Sequence, residues 1–389
     1  MKAQVVMTKA RTIAELALVA VAATLARGVW LPLERHRFDG HEADYLAAFQ
    51  GAVLEPSTRH MPLLAGAYRA LGRLTDAPEA LLAVNVLAGV VTVVAGATLA
   101  RREGRLGTGL LLALGPTLVF WSASAYHVAL PLAFAVAGAA VGGWGGAVLY
   151  AIACANRLEL ALLAPAIVAL GGWRPALGAI GAVAGWPLLD SAPALVPVSL
   201  TLPANLQLPD FLGALGEPLG LLVVALAVRR RTLPLLGAAV WVHLVGSCFD
   251  DYGTRHGLLG AVCLAVLVGS SGRWWAVVAG IAWSAWRTSI VATWFYAPQP
   301  VFDATVPSLG PPPACTEVLD DPLAEASHWG VRDAWPEGTV CWGEERIHRA
   351  WTSRALQDRA LRMHRLYAPE PLGVLRLESG PRIVYEVTR

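Results

Sequence analysis

The chain has 389 residues, of which 56% are hydrophobic and 15% charged, with a mean hydropathy of +0.53. That composition excludes an ordinary soluble globular domain and predicts a polytopic membrane protein. The net charge of +2 is spread along loops with no basic stripe interleaved with aromatics, so no nucleic-acid partner is expected. Lys2 and Lys9 are the only lysines and every other basic residue is arginine; with abundant Ala, Gly, Leu and Val, this usage points to a GC-rich bacterial genome.

In chain order, apolar runs near the length a bilayer requires predict about 11 transmembrane helices. They cover 12–33, 78–100, 106–122, 126–142, 144–156, 159–172, 175–197, 216–228, 233–249, 256–270 and 273–294. The first lacks a small-residue cleavage site and runs into Arg27, Trp30 and Pro32, which reads as an uncleaved span. The fifth and sixth can also be read as one broken or re-entrant unit.

Arginine fixes the expected orientation, because short cytoplasmic loops collect Lys and Arg. With the N-terminus cytoplasmic, the inside loops hold Lys2, Lys9 and Arg11, then Arg101, Arg102 and Arg105, then Arg174, then Arg229, Arg230 and Arg231, then Arg273. The loop 34–77 and everything after 294 then lie outside. Residues 42–53 and 61–74 of that loop have the apolar spacing of short amphipathic helices lying on the membrane surface.

Residues 1–296 thus form the expected membrane domain and 297–389, where Pro and Asp replace the apolar runs, a small extracytoplasmic α+β domain. In it, Ile347, Trp351, Leu356 and Leu366 suggest a helix over 346–367, and "LGVLRLESGPRIVYEV" alternates about a turn like a β-hairpin. Cys315 and Cys341 are its only cysteines and are expected to pair in an oxidising compartment. Cys154, Cys248 and Cys263 sit in apolar runs as small buried side chains. No Cys-x-x-Cys or zinc spacing exists.

The charged residues concentrate where the first span ends. "RFDGHEADY" gathers Asp39, His41, Glu42 and Asp44, and "STRHMPL" adds Arg59 and His60 on the same outside loop. Acids beside a basic pair suit a reaction needing a base near a phosphate: a carboxylate takes the acceptor's proton while arginine holds the leaving group. The competing reading is a solvated helix start in which Asp39 caps residues 42–53. Tyr126, His127, Arg157, Asp250, Asp251, Arg255 and His256 also stand at expected outside ends, where they can line the same cavity or snorkel to water.

This layout resembles the GT-C superfamily of polyprenyl-phosphate-sugar-dependent glycosyltransferases, which includes the protein O-mannosyltransferases and the aminoarabinose transferases of lipid A. "HEADY" at 41–45 and "MPL" at 61–63 stand where that family has an Asp-Glu-Ala-x-Tyr motif and a Pro-Pro-Leu motif. "ANRLELALLAP" at 155–165 and "GTRHGLLGAV" at 253–262 match its Arg-bearing turns. The resemblance implies a GT-C-like fold, a polyprenyl-phosphate sugar donor, an unspecified acceptor outside the cytoplasm of a bacterial inner membrane, and inversion at the anomeric carbon. It implies Arg157 and Arg255, with Arg59 and His60, as phosphate holders. The family's first acid is His41 here, so the base is Asp39, Glu42 or His41, or activity has been lost. No cofactor is certain, and a divalent metal stays open. A non-catalytic membrane subunit is the alternative; a transporter is disfavoured by the missing internal repeat.

Overall fold

A computed structural model of the chain describes residues 2–30, 49, 62–75, 77, 79–123, 128–185, 208–247, 257–295, 347–351, 373–379 and 382–388. They divide into two compact units, Met1–Leu31 with Asp44–Thr288, and Pro32–Ala43 with Ser289–Arg389.

The first unit is helical. Its helices are α1 (Lys2–Trp30), α2 (Pro62–Gly72), α3 (Glu79–Leu99), α4 (Arg105–Leu114), α5 (Pro116–Ala123), α6 (Ala129–Val141), α7 (Gly143–Asn156), α8 (Ala164–Gly171), α9 (Trp173–Ala176), α10 (Gly178–Gly185), α11 (Leu208–Gly216), α12 (Leu221–Ala227), α13 (Leu233–Ser247), α14 (Leu258–Ser270) and α15 (Trp274–Phe295). Among the described residues, two stretches, Thr8–Val29 and Ala80–Leu99, are long and apolar enough to cross a membrane. Arg102–Leu114 and Pro116–Ala123 pass the same test together but are bent by 56°.

Where its residues are described, each expected apolar run falls mainly on helix, but several are divided. The run 106–122 breaks at Gly115, because Pro116 has no N–H for the preceding turn and suits the first position of a new helix. The run 216–228 is interrupted at 217–220, where Gly220 has φ +75°. The run 159–172 opens as a 3-10 segment, Leu158–Leu163, before α8. Residues 186–197 of the seventh run lie outside the described residues, as does the surface helix expected over 42–53, save Phe49. The helix expected over 61–74 is α2.

Leu258, Leu259 and the whole run from Val262 to Val268 of α14 are buried, in one core with Val19 and Ala23 of α1, Val93 and Ala97 of α3, Leu111 and Leu112 of α4, and Ala239 and Val242 of α13. Close packing uses small residues, as apolar surroundings offer little hydrophobic gain for helix association. A methyl group on Gly269 would lie 1.9 Å from Thr108 Oγ1, and one on Gly104 would lie 2.1 Å from the Gly269 carbonyl oxygen. At Gly142 (φ +67°) and Gly172 (φ +86°) the chain reverses through a left-handed conformation that favours glycine.

The arginine-bearing turns share one end of this unit. Arg102 donates to Thr8 Oγ1 at 3.3 Å and Arg105 to Thr12 Oγ1 at 3.0 Å. The Arg101 backbone N–H reaches Ser270 Oγ at 3.4 Å, Arg231 bonds the carbonyls of Ser270 and Ser271, and Arg273 bonds the Leu226 carbonyl. These arginine-bearing turns therefore pack together.

Among the described residues, the second unit contains strands β1 (Ile347–Trp351), β2 (Gly373–Ser379) and β3 (Arg382–Thr388), antiparallel in the order β1-β3-β2. Where alternation predicts a hairpin, β2 and β3 pair from Gly373↔Thr388 to Ser379↔Arg382. The helix expected over 346–367 is corrected at its start, since Ile347–Trp351 is a strand. Positions four apart share a face in a helix and in a strand alike, so the Ile347/Trp351 spacing fits both; pairing with β3 decides.

Candidate functional site

Of the residues that the sequence singles out, Arg157 is the one whose surroundings are described. Asp39, His41, Glu42, Asp44, Arg59, His60, Tyr126, His127, Asp250, Asp251, Arg255, His256, Cys315 and Cys341 all lie outside the described residues.

Arg157 stands at a break in the backbone. α7 ends at Asn156, Arg157 is extended (φ −143°, ψ 95°), and the chain restarts as the 3-10 segment that carries Glu159. The break leaves carbonyls without helical partners, and aromatic side chains from two helices take them up. The Tyr150 hydroxyl donates to the Leu160 carbonyl at 2.5 Å, and Trp241 Nε1–H to the Leu162 carbonyl at 2.8 Å. Tyr150 is fully buried, so its bond is made inside the core. The segment is thereby held from α7 on one side and α13 on the other.

The Arg157 side chain is buried and forms an ion pair with Glu159, two residues on. An extended residue between two helical pieces lets side chains at i and i+2 meet, which a continuous helix forbids. Glu159 is the site residue that sequence reasoning missed. It stood inside the quoted "ANRLELALLAP", but only the backbone break makes it the partner of Arg157.

The pair faces a cavity with about 30 Å³ of interior space. That is room for about two water molecules. Its walls come from Val128, Pro131 and Leu132 at the start of α6, from Leu160 and Leu163, from Val245 and Gly246 at the end of α13, and from Leu258 and Leu259 at the start of α14. Three of these walls adjoin candidate segments in the chain. Val128 directly follows His127, Gly246 comes four residues before Asp250, and Leu258 comes two after His256. Helix ends remote in sequence are thus brought to one place.

A second buried arginine lies in the first unit. Arg27 of α1 is fully buried, and its Nε donates to Ser122 Oγ at 2.6 Å. Nη1 donates to the carbonyls of Ala23 at 3.0 Å and Ala113 at 3.5 Å, while Nη2 has no hydrogen-bond partner among the described residues. The guanidinium fits because residue 89 is glycine: a methyl group there would lie 2.5 Å from Arg27 Nε. The sequence offered Arg27 only as a flank of the first span, and a partner 95 residues away carries no local signal.

Among the described residues, no three His, Cys, Asp or Glu side chains gather as a metal site. Cys154 and Cys263 are buried free thiols, as their apolar runs suggest. No family model, curated protein or solved structure matches this chain.

Proposed function

We propose that the chain is an integral membrane glycosyltransferase that moves a sugar from a polyprenyl phosphate to an acceptor at the outer face of a bacterial inner membrane. The observation that carries this reading is the convergence at the Arg157 cavity of the chain segments around 128, 157, 246 and 258, three of which adjoin the candidate residues. In the proposed reaction the acceptor oxygen or nitrogen attacks the anomeric carbon as the bond to the phosphate oxygen breaks. The acceptor's proton passes to Asp39 or Glu42, and the lipid phosphate leaves held by Arg157 and Arg255. About eleven crossings, a cytoplasmic N-terminus and an outside domain over 297–389 belong to the same proposal.

Depth supports it. From Ser270, beside the arginine-bearing turns, α14 rises 13 residues to Leu258 at the cavity, about 18 Å at 1.5 Å per residue. With those arginines at one interface of a hydrocarbon layer about 30 Å thick, the cavity lies about 10 Å short of the other. A charged pair at that depth is costly, which makes it a functional candidate by default.

The Arg157–Glu159 pair favours one alternative, a non-catalytic subunit in which arginine is already neutralised for structural ends and His41 records a lost base. Purified protein incubated with polyprenyl-phosphate sugars separates the two. Transfer that falls on the order of 100-fold in Asp39→Asn or Glu42→Gln, with donor binding retained, is the expected result. Arg157→Ala should weaken donor binding instead. Full transfer in both acid variants would remove the acids from the chemistry, and unchanged donor binding in Arg157→Ala would make that residue structural.

A further inference from the structure

The end of the first unit opposite the Arg157 cavity carries a pattern that the transfer reaction does not use. Lys9, Arg11, Arg101, Arg102, Arg105, Arg174, Arg229, Arg230, Arg231 and Arg273 lie there, ten of the chain's 30 basic residues. Only Glu15 and Glu103, of the chain's 28 acids, accompany them among the described residues, and Glu15 is paired with Arg11 at 2.8 Å. The remaining chain is net acidic, so the basic balance belongs to this end.

Three chain reversals bring exposed tryptophans to the same level. α7 begins with Gly143 and Trp144, α9 with Trp173, and α15 with Trp274 and Trp275, after Gly142, Gly172 and Gly272. Trp144, Trp173 and Trp274 are each more than half exposed. Two of the tryptophans sit under arginines: the Arg174 guanidinium lies 5.6 Å from the Trp173 ring centre, and Arg273 lies 5.6 Å from that of Trp275. Tryptophan places an apolar body and one N–H donor at the level of lipid headgroups, and arginine offers paired donors to phosphate.

We propose that this collar is a binding surface for anionic phospholipid headgroups, with Arg174 and Arg230 among its exposed cations that have no ion pair among the described residues, and the tryptophans setting its depth. Charge complementarity selects the occupant. A neutral headgroup would leave some eight net positive charges facing a surface of no opposing sign, whereas a lipid with net negative charge supplies it. The inference is independent of the transfer reaction, since the collar lies at the other end of the unit from the cavity.

Brominated lipids quench neighbouring tryptophans, so the collar reports its own occupancy. Full-length protein is placed in bilayers of phosphatidylcholine with graded brominated phosphatidylglycerol, and separately with brominated phosphatidylcholine as the neutral reference. A preference for the anionic lipid of several-fold that weakens with salt is expected. R174Q/R230Q should remove most or all of that preference, since each arginine near a charged surface counts for roughly fivefold. Arg73→Gln, an exposed arginine in the turn after α2, should leave it unchanged. Equal quenching by both lipids, or a preference that survives R174Q/R230Q, overturns the proposal. An effect of Arg73→Gln equal to that of the double variant does so as well, because net charge alone would then account for it.

Discussion

Replacing Gly89 by alanine should destabilise the helical unit, although alanine is the better helix former. The change removes a residue that costs a helix interior about 0.5–1 kcal/mol, which by itself favours the variant. Against that, the new methyl group would lie 2.5 Å from Arg27 Nε, 2.5 Å from Ser122 Cβ and 2.6 Å from Ser122 Oγ. Ser122 belongs to a helix and cannot swing aside, and Arg27 is held by the carbonyls of Ala23 and Ala113. Overpacking of this kind costs about 1–3 kcal/mol, and losing a buried hydrogen bond to a charged group about 1.5–3 kcal/mol. The balance is a loss of about 2–4 kcal/mol. Gly28, the residue after Arg27 on α1, has open space where its methyl group would go, so Gly28→Ala should be neutral or slightly stabilising. Unfolding of the two variants in mixed detergent micelles, followed by tryptophan fluorescence, gives the comparison. The clash with Arg27 also predicts that the penalty shrinks when Arg27→Ala is made first. A Gly89→Ala variant as stable as Gly28→Ala would show that Arg27 is not seated against α3.

Tyr150→Phe removes the hydroxyl that the Leu160 carbonyl accepts and leaves that buried group short of a donor, at a cost of about 1–3 kcal/mol. Hydrogen exchange in 158–163 should rise in this variant more than in α14; unchanged exchange there would show that Tyr150 does not hold the segment. Gly269→Ala sets a methyl group 1.9 Å from Thr108 Oγ1 between two closely packed helices, so a loss at the upper end of the overpacking range, about 3 kcal/mol, is expected in the same micelle assay. Thr108→Ala should recover part of it, and a Gly269→Ala variant of wild-type stability would refute the close approach of α4 and α14.

Helix positions were legible because this chain punctuates its apolar runs with glycine and arginine. Gly142 and Gly172 end α6 and α8 where the runs stop, and the Arg101–Arg105 cluster separates α3 from α4. The internal breaks were harder to read. Pro116 marked one in plain view inside an apolar run, whereas the 3-10 start at Leu158 has no residue that demands it. The helix expected at 346–367 failed at its start because a spacing of four fits both periods. For the site, Arg157 was found from its neighbours in the sequence. Glu159 and the Arg27–Ser122 contact were not, because each depends on a backbone break or on a fold contact that no local pattern encodes.

The short helices bear on why polar groups collect at one level. α6 has 13 residues, α13 has 15 and α14 has 13, so each is about 20 Å long, well under the thickness of a hydrocarbon layer. α1 and α3, with 29 and 21 residues, are longer. Ala88 of α3 packs with Ala129 and Ala133 of α6, so the start of α6 lies level with Gly89 and hence with Arg27 and Ser122. Helix ends expose backbone N–H and C=O groups, and lipid tails cannot satisfy them. Ends placed at such a level must therefore be met by side chains of the same chain or by water in a cavity. Tyr150 and Trp241 meet two of the carbonyls, Arg27 reaches the Ala113 carbonyl near the end of α4, and the cavity beside Arg157 and Glu159 has room for about two waters. Shortening the helices thus creates a polar level inside an apolar bundle. The two buried arginines are tolerated there because that level already has to be hydrogen-bonded from within.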